Sequence, residues 1–403
     1  MSTQLTEPED PKGASANRSG PNWLALGLIL FATLISLLPV LLGLPAPAHA
    51  RDPLVLYVVL YGPAIAAVGL CYFLDRTADR KQRRDTLLLC VVLALLTNYL
   101  HLWLVDNASY VTGPNLALQQ HLHEQVVAFS PDALPHSYRF LPNSFIRLVE
   151  LVTGDFATAR DSYRNLFGVL LLYAIYRFAR LFLRHGGALF CLAIWTAITP
   201  VSFRYYAGQP TDPLSHLSFI LSFIFLETEQ FVYLFLVVLI GTLAKETVAA
   251  MSGYYLLFSW RDPGSRLRAV VLFASVILLV ADVRALVLPA APGYAAISGV
   301  DPTHLSTNWN NYLQWVRPIL FTVGIFVPFV VLGWRSFPWG LQSLALYLGP
   351  VLFCSSLFFS WLREGRNFMP LAAILIVMTV YYLLPQERAP VRLASSKVTL
   401  DEG

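Results

Sequence analysis

The chain has 403 residues, of which 56% are hydrophobic and 13% charged, with a mean hydropathy of +0.59. That balance excludes an ordinary soluble domain and predicts a polytopic membrane protein. The net charge of +4 is spread over short loops, which leaves no basic domain to hold nucleic acid.

Residues 1–22 are polar and rich in Pro, Gly and Ser, the composition of a disordered tail. The apolar run 23–43 ends in APAHA, which looks like a signal-peptidase site. At about 20 residues the run exceeds a signal h-region of about 7–15, and a weakly basic segment precedes it. An uncleaved first span is the expectation. A membrane crossing takes about 20 apolar residues. Further spans are expected at 54–74, 86–105, 164–183, 188–206, 213–229, 269–289, 316–334, 338–361 and 368–385. The apolar region 231–260 is too long for one helix, and Lys245 and Glu246 interrupt it. It reads as two short helices meeting in a bend. The fold class is therefore all-α, a transmembrane bundle of about 10–11 membrane segments. Cys71, Cys90, Cys191 and Cys354 all lie in apolar runs without paired spacing, so they read as small core residues.

Lys and Arg in short loops orient such a bundle. DRTADRKQRRD at 75–85 is the strongest marker, followed by RDPGSRLR at 261–268, Arg177 to Arg184, Arg335 and the tail after Pro385. Alternating through the spans puts all of these on the cytoplasmic side with both termini. The parity works only if 231–260 goes out and comes back. The loop 106–163, GQPTD at 208–212, the Lys245–Glu246 bend, residues 290–315 and REGRN at 363–367 then share the outer face.

Asp106 stands where a span leaves the membrane. A carboxylate there suits a base for an incoming hydroxyl, and equally a solvated helix end. NLALQQHLHEQVVAF at 115–129 and LPNSFIRLVELV at 141–152 have helical apolar spacing but are too short and polar to span. They read as helices lying on the membrane surface. Between them, Arg139 in HSYRFLPN suits paired hydrogen bonds to a phosphate, or snorkelling at the interface. His121 and His123 in H-x-H do not share a helical face, and no paired-aspartate D-x-D occurs. No cofactor is called for, and a divalent metal stays open. Asp212 opens a helix after a Gly-Pro turn, where capping and a site role both fit. Lys245 and Glu246, as helical neighbours, point about 100° apart, so each needs its own partner or a wet cavity. Arg363, Glu364 and Arg366 in WLREGRNFMPL suit a phosphate site or a charged hairpin.

Taken together, these pieces resemble the GT-C superfamily, polytopic glycosyltransferases that use polyprenyl-phosphate sugars. The resemblance spans about residues 86–385. It rests on Asp106 and Tyr110 at the head of a long outer loop, surface helices in that loop, and YRFLPN at 138–143. The turn with Asp212, AKET at 244–247 and EGRNFMPL at 364–371 complete it. It implies transfer of a sugar from a polyprenyl-phosphate donor to an envelope glycan or lipid acceptor, at the outer face of a bacterial cytoplasmic membrane. Asp106 would be the base. Arg139, Arg363 and Arg366 would hold the donor's phosphate, and Asp212, Lys245 and Glu246 would shape the sugar or acceptor pocket. The chain departs from the pattern in two extra spans at 23–85, a single rather than paired aspartate, and no soluble outer domain at the C-terminal end. The alternatives are a transporter or flippase of lipid-linked saccharide, which would place charges near the midplane in repeated halves, and a non-catalytic membrane protein of the same fold.

Overall fold

The computed structural model describes residues 80–107, 116–130, 133, 136–202, 209–260, 263–287 and 302–389. The expected spans at 23–43 and 54–74, the APAHA site, Cys71 and the segment 290–301 lie outside them. Among the described residues the structure is helical, apart from one isolated antiparallel bridge between Leu183 and Arg388.

The helices are α1 (Arg80–Asn107), α2 (Leu116–Val127), α3 (Phe140–Thr153), α4 (Phe156–Arg180), α5 (His185–Ser202), α6 (Thr211–Glu227), α7 (Phe231–Ala244), α8 (Ala250–Ser259), α9 (Pro263–Val287), α10 (Pro302–Asn310), α11 (Tyr312–Thr322), α12 (Val327–Gly333), α13 (Trp339–Phe359) and α14 (Met369–Leu383). The expected segment ends at 105, 229 and 260 fall within two residues of helix ends, and α2 and α3 match the two expected surface stretches. Among the described residues, two helical segments are long and apolar enough to cross a membrane, Trp339–Phe359 and Gly365–Leu383. The pair Trp315–Thr322 and Gly324–Ser336, bent by 49°, is long and apolar enough for a third when taken as one segment. Shorter apolar helices run over His185–Thr199 and Phe231–Ala244.

Three local features depart from the sequence reading, each for a backbone reason. The loop expected over 106–163 ends at residue 155, where α4 begins. Gly154 closes α3 in the left-handed conformation, φ 71°, with its N–H on the Glu150 carbonyl. Asp155 then caps α4, accepting from the Thr158 N–H at 2.7 Å. A glycine C-cap followed at once by an aspartate N-cap makes a corner without a loop. The expected single span 316–334 is the bent pair. The break falls at Val323, whose φ of −127° leaves the helical range at the end of α11, and a 3-10 turn, Gly324–Phe326, follows it before α12. Residues 385–389, expected in a tail, fold back on the α4–α5 turn. The Arg184 N–H donates to the Glu387 carbonyl, Gly187 N–H to the Glu387 carboxylate, and Ala389 N–H to the Phe182 carbonyl.

Helix α4 packs against α1, α3, α5 and α6, and α14 against α5, α12 and α13. Their side chains, Phe178, Ile175, Ala179, Ile374 and Met378 among them, form the core. At the α6–α7 crossing Gly241 allows the close approach. A Cβ there would stand 2.6 Å from the Cβ of Ser218 and from Val248. Small residues at a helix contact let backbones come together where van der Waals packing has to do the holding. Cys90 and Cys191 are buried as expected, but Cys354 is exposed on α13. Large apolar side chains also lie exposed along α7, α9, α12 and α13, as at Leu236, Ile240, Leu278 and Leu332. Contiguous apolar surface of this kind marks contact with lipid or another protein.

Candidate functional site

The bend expected in 231–260 is present. Helix α7 stops at Ala244, and Lys245 is extended, with φ −162° and ψ 125°. A 3-10 turn, Glu246–Ala249, leads into α8. The extended residue turns Lys245 and Glu246 to separate partners. Lys245 Nζ donates to Asn367 Oδ1 at 2.7 Å and lies 3.7 Å from Asp212 Oδ1. Glu246 accepts from Arg139 Nε at 2.7 Å.

Asp212 sits in the first turn of α6. Arg366 lies in the 3-10 turn Gly365–Phe368 that precedes α14. Its Nη1 donates to both Asp212 oxygens, each at 2.9 Å, and its Nη2 donates to Glu364 Oε2 at 2.7 Å. The Gln209 N–H also donates to Asp212 Oδ2. Asn367 Nδ2 reaches Glu364 Oε2 at 3.3 Å. Asp212, Glu364, Arg366 and Lys245 are all buried. Two cations face two carboxylates, so the knot is neutral as a set. Buried charges persist only when paired and hydrogen-bonded like this. With both oxygens engaged, Asp212 is an anchor for the surrounding elements more than a group poised to take a proton.

The turn that carries Glu364 and Arg366 is itself held by α10. Asn308 Nδ2 donates to the carbonyls of Ser356, Leu357 and Ser360, and its Oδ1 accepts from the Leu362 N–H. Arg363, in the same turn, lies over the Trp361 ring, with Cζ 4.9 Å from the centroid. Beside Arg139 in the 3-10 turn His136–Arg139 stands His136. Burial, then the cations Arg139, Arg366 and Lys245, push its imidazole down to about 3. Of the H-x-H pair, His121 is exposed. His123 is buried, with Nδ1 on Asn143 Oδ1 at 3.0 Å and Nε2 3.5 Å from Glu150.

The structure thus brings Asp212, Lys245, Glu364 and Arg366 into one knot and sets Arg139 with Glu246 beside it. The backbone of Asp106 lies in the last turn of α1, and its side chain falls outside the described residues.

The sequence reading missed a second polar layer, on α1 and α4. Arg160 pairs with Asp161 at 2.9 Å and donates to Gln119 Oε1 at 3.0 Å. Arg164 Nε donates to Asn98 Oδ1 at 3.2 Å, and Asn98 Nδ2 to Asn165 Oδ1 at 2.9 Å. His216 bonds the Arg366 carbonyl through Nε2 at 3.0 Å. The available signal was RDSYRN, which puts Arg160 and Arg164 four residues apart on one helical face. A cavity of about 70 Å³ separates this layer from the knot, lined by Asn98, Arg164, Trp195, Asp212, His216 and Met369 among others. That is well below the roughly 300–1,000 Å³ of most ligand pockets, so a sugar would need the helices around it to part.

Fold and site together define an all-helical protein. It has a few helices apolar enough to cross a membrane, and a neutral knot of buried charge drawn from distant parts of the chain. No family model matches the chain, nor does any curated protein or solved structure.

Proposed function

We propose that the chain is a polytopic membrane glycosyltransferase, moving a sugar from a polyprenyl-phosphate donor to a glycan or lipid acceptor on the outer face. One observation carries the reading. Residues 136–139, 212, 245–246 and 364–367, remote in sequence, converge through direct ion pairs and hydrogen bonds. The same segments carry the resemblance to the GT-C superfamily.

In this reading the bundle has about 10–11 membrane segments, both termini are cytoplasmic, and the knot lies toward the outer face. The acceptor oxygen attacks the anomeric carbon and its proton passes to Asp106. The bond from that carbon to the donor's phosphate oxygen breaks, and the phosphate leaves with the electron pair. Fixed cations lower the barrier most where negative charge grows on the leaving group. Arg139 and Arg363 meet the phosphate. Arg366, locked between Asp212 and Glu364, fixes the turn from which Arg363 projects. Lys245 and Glu246 shape the sugar side.

A second reading, a transporter of lipid-linked saccharide, draws on the broken helix at Lys245, since interrupted helices line the binding sites of transporters. One experiment separates the two. Protein in lipid nanodiscs is given a panel of polyprenyl-phosphate sugars and acceptors, and products are read by mass spectrometry. Sugar transfer that falls by about 10²–10⁴ in Asp106→Asn supports the enzyme. Passage of the intact lipid-linked sugar across a proteoliposome membrane supports the transporter.

A further inference from the structure

Exposed aromatic side chains gather at two levels of the bundle. One level is the start of α13. Trp339, its first residue, is 64% exposed, and Phe258 at the end of α8 meets it edge-on, with ring centroids 6.3 Å apart. Trp260, also exposed, follows α8 directly. The starts of α7 and α9 stand close to this level, since Arg268 of α9 lies over the Phe231 ring and Phe231 stacks on Tyr255 of α8. The other level is the end of α13. Asn308 of α10 donates there to the carbonyls of Ser356, Leu357 and Ser360. Beside it Trp309 is 72% exposed, and Tyr312 at the start of α11 is exposed as well.

The length of α13 separates the two levels. Its 21 residues rise about 31 Å, which matches the roughly 30 Å of a bilayer's hydrocarbon core. Helix α9 gives a similar figure, because the exposed Asp282 comes about 28 Å past Pro263. Between the levels the exposed side chains of α7, α9, α12 and α13 are apolar, as at Leu236, Leu278, Leu332 and Leu346. Three exposed arginines stand inside the levels. Arg266 and Arg268 follow Pro263, and Arg317 follows Tyr312, each by about 8 Å or less. Side chains of that length reach the nearer boundary by snorkelling. Trp and Tyr, with an apolar ring and a polar edge, collect where hydrocarbon meets water on both sides of a membrane. A second protein copy covering this surface would require neither the two aromatic levels nor their spacing.

We infer that the partner of this surface is a lipid bilayer, with one boundary at Trp260 and Trp339 and the other at Trp309 and Tyr312. The frame sets the depth of the ion knot. Helix α7 rises about 21 Å from Phe231 before it reaches Lys245, and the turn with Glu364 and Arg366 follows the end of α13. The knot therefore lies past the midplane, toward the Trp309 boundary, whereas transporter sites lie near the midplane. Helix α3 starts beside the knot through the Arg139–Glu246 pair. Its exposed Leu148, Leu151 and Val152 then enter the same leaflet near its surface. The inference rests on the chain lying in a bilayer and not on glycosyl transfer.

Site-directed spin labelling of the full chain in phosphatidylcholine–phosphatidylglycerol nanodiscs tests the frame. Single cysteines replace Trp309, Trp339, Leu278, Leu346 or Leu148, with Cys71 and Cys354 changed to serine and the buried Cys90 and Cys191 kept. Tyr312 and Trp260 repeat the two boundary readings, so that one misfolded variant does not decide the outcome. Oxygen concentrates in the hydrocarbon core and a neutral nickel chelate in water. Oxygen collisions are expected to be several-fold more frequent at Leu278 and Leu346 than at the four aromatic positions, and nickel collisions the reverse, with Leu148 shallow. A label at Leu346 open to nickel, or labels at Trp309 and Tyr312 as deep as the one at Leu346, overturns the frame. A label at Leu346 shielded from both reagents marks a protein contact and overturns the choice of bilayer. A label at Leu148 fully in water overturns the seating of α3. No readout depends on sugar transfer, so failure of the enzyme reading and failure of this one are told apart.

Discussion

Asp212 and Arg366 are 154 residues apart in the chain, and both oxygens of the first accept from one nitrogen of the second at 2.9 Å. This contact ties the start of α6 to the turn before α14. Lys245 and Glu364 complete it, so that no charge in the set is without an opposite. The knot therefore behaves as a unit, and removing one member exposes the others.

Asp212→Asn keeps the shape and removes the charge, leaving Arg366 and Lys245 to share Glu364. Breaking a buried pair in this way costs about 3–5 kcal/mol. The expected result is a large fall in the thermal midpoint of detergent-solubilised protein. An unchanged midpoint would mean that water reaches the knot.

The Arg139–Glu246 pair behaves differently, because its side chains are 19% and 25% exposed. Solvent screening reduces such a pair to about 1 kcal/mol or less. Arg139→Glu and Glu246→Arg singly should each destabilise slightly, and the double reversal should recover most of the loss in a double-mutant cycle. If the double variant is as unstable as the sum of the singles, the contact contributes nothing on its own.

Asn308→Ala should loosen the turn that carries Glu364 and Arg366. It leaves the Leu362 N–H and the carbonyls of Leu357 and Ser360 without their shared partner. An unsatisfied buried group costs about 1–3 kcal/mol. Faster hydrogen exchange confined to residues 360–367 is the expected signature; unchanged exchange there argues that α10 does not hold the turn.

His136 gives stability a pH dependence of known sign. Its folded pKa, about 3, lies below the roughly 6.5 of a free imidazole. The folded state binds fewer protons than the unfolded one. Its contribution is full above about pH 6.5 and is lost as pH falls through that value toward 3. Between pH 7 and 5, where few carboxylates titrate, wild type should lose stability and His136→Gln should lose less. Parallel pH curves would show that His136 protonates freely.

Much of the helix layout was legible in the chain, since apolar length and polar breaks are local properties. The bend at Lys245 was readable because an adjacent cation and anion cannot both lie in lipid. The start of α4 was not, because the Gly154–Asp155 corner takes only two residues and looks like part of a polar loop. Arg160 and Arg164 were passed over for the same reason. Arg160, assigned to a loop, and Arg164, set at the very edge of an expected span, needed no partners there; placed inside a buried helix, they demand Asp161, Gln119 and Asn98.

What the sequence determined by itself is the helical class, the apolar character and the short list of charges that had to be accounted for. Composition and periodicity carry that information, because burial cost and helical spacing act residue by residue. Which charge meets which was decided only by the tertiary structure. Nothing local says that Lys245 takes Asn367 and Asp212 while Glu246, its neighbour, takes Arg139. Those pairings depend on where α6, the α7 bend and the turn before α14 come to rest against one another. Ion pairs act over a few ångströms of space, whatever their distance along the chain.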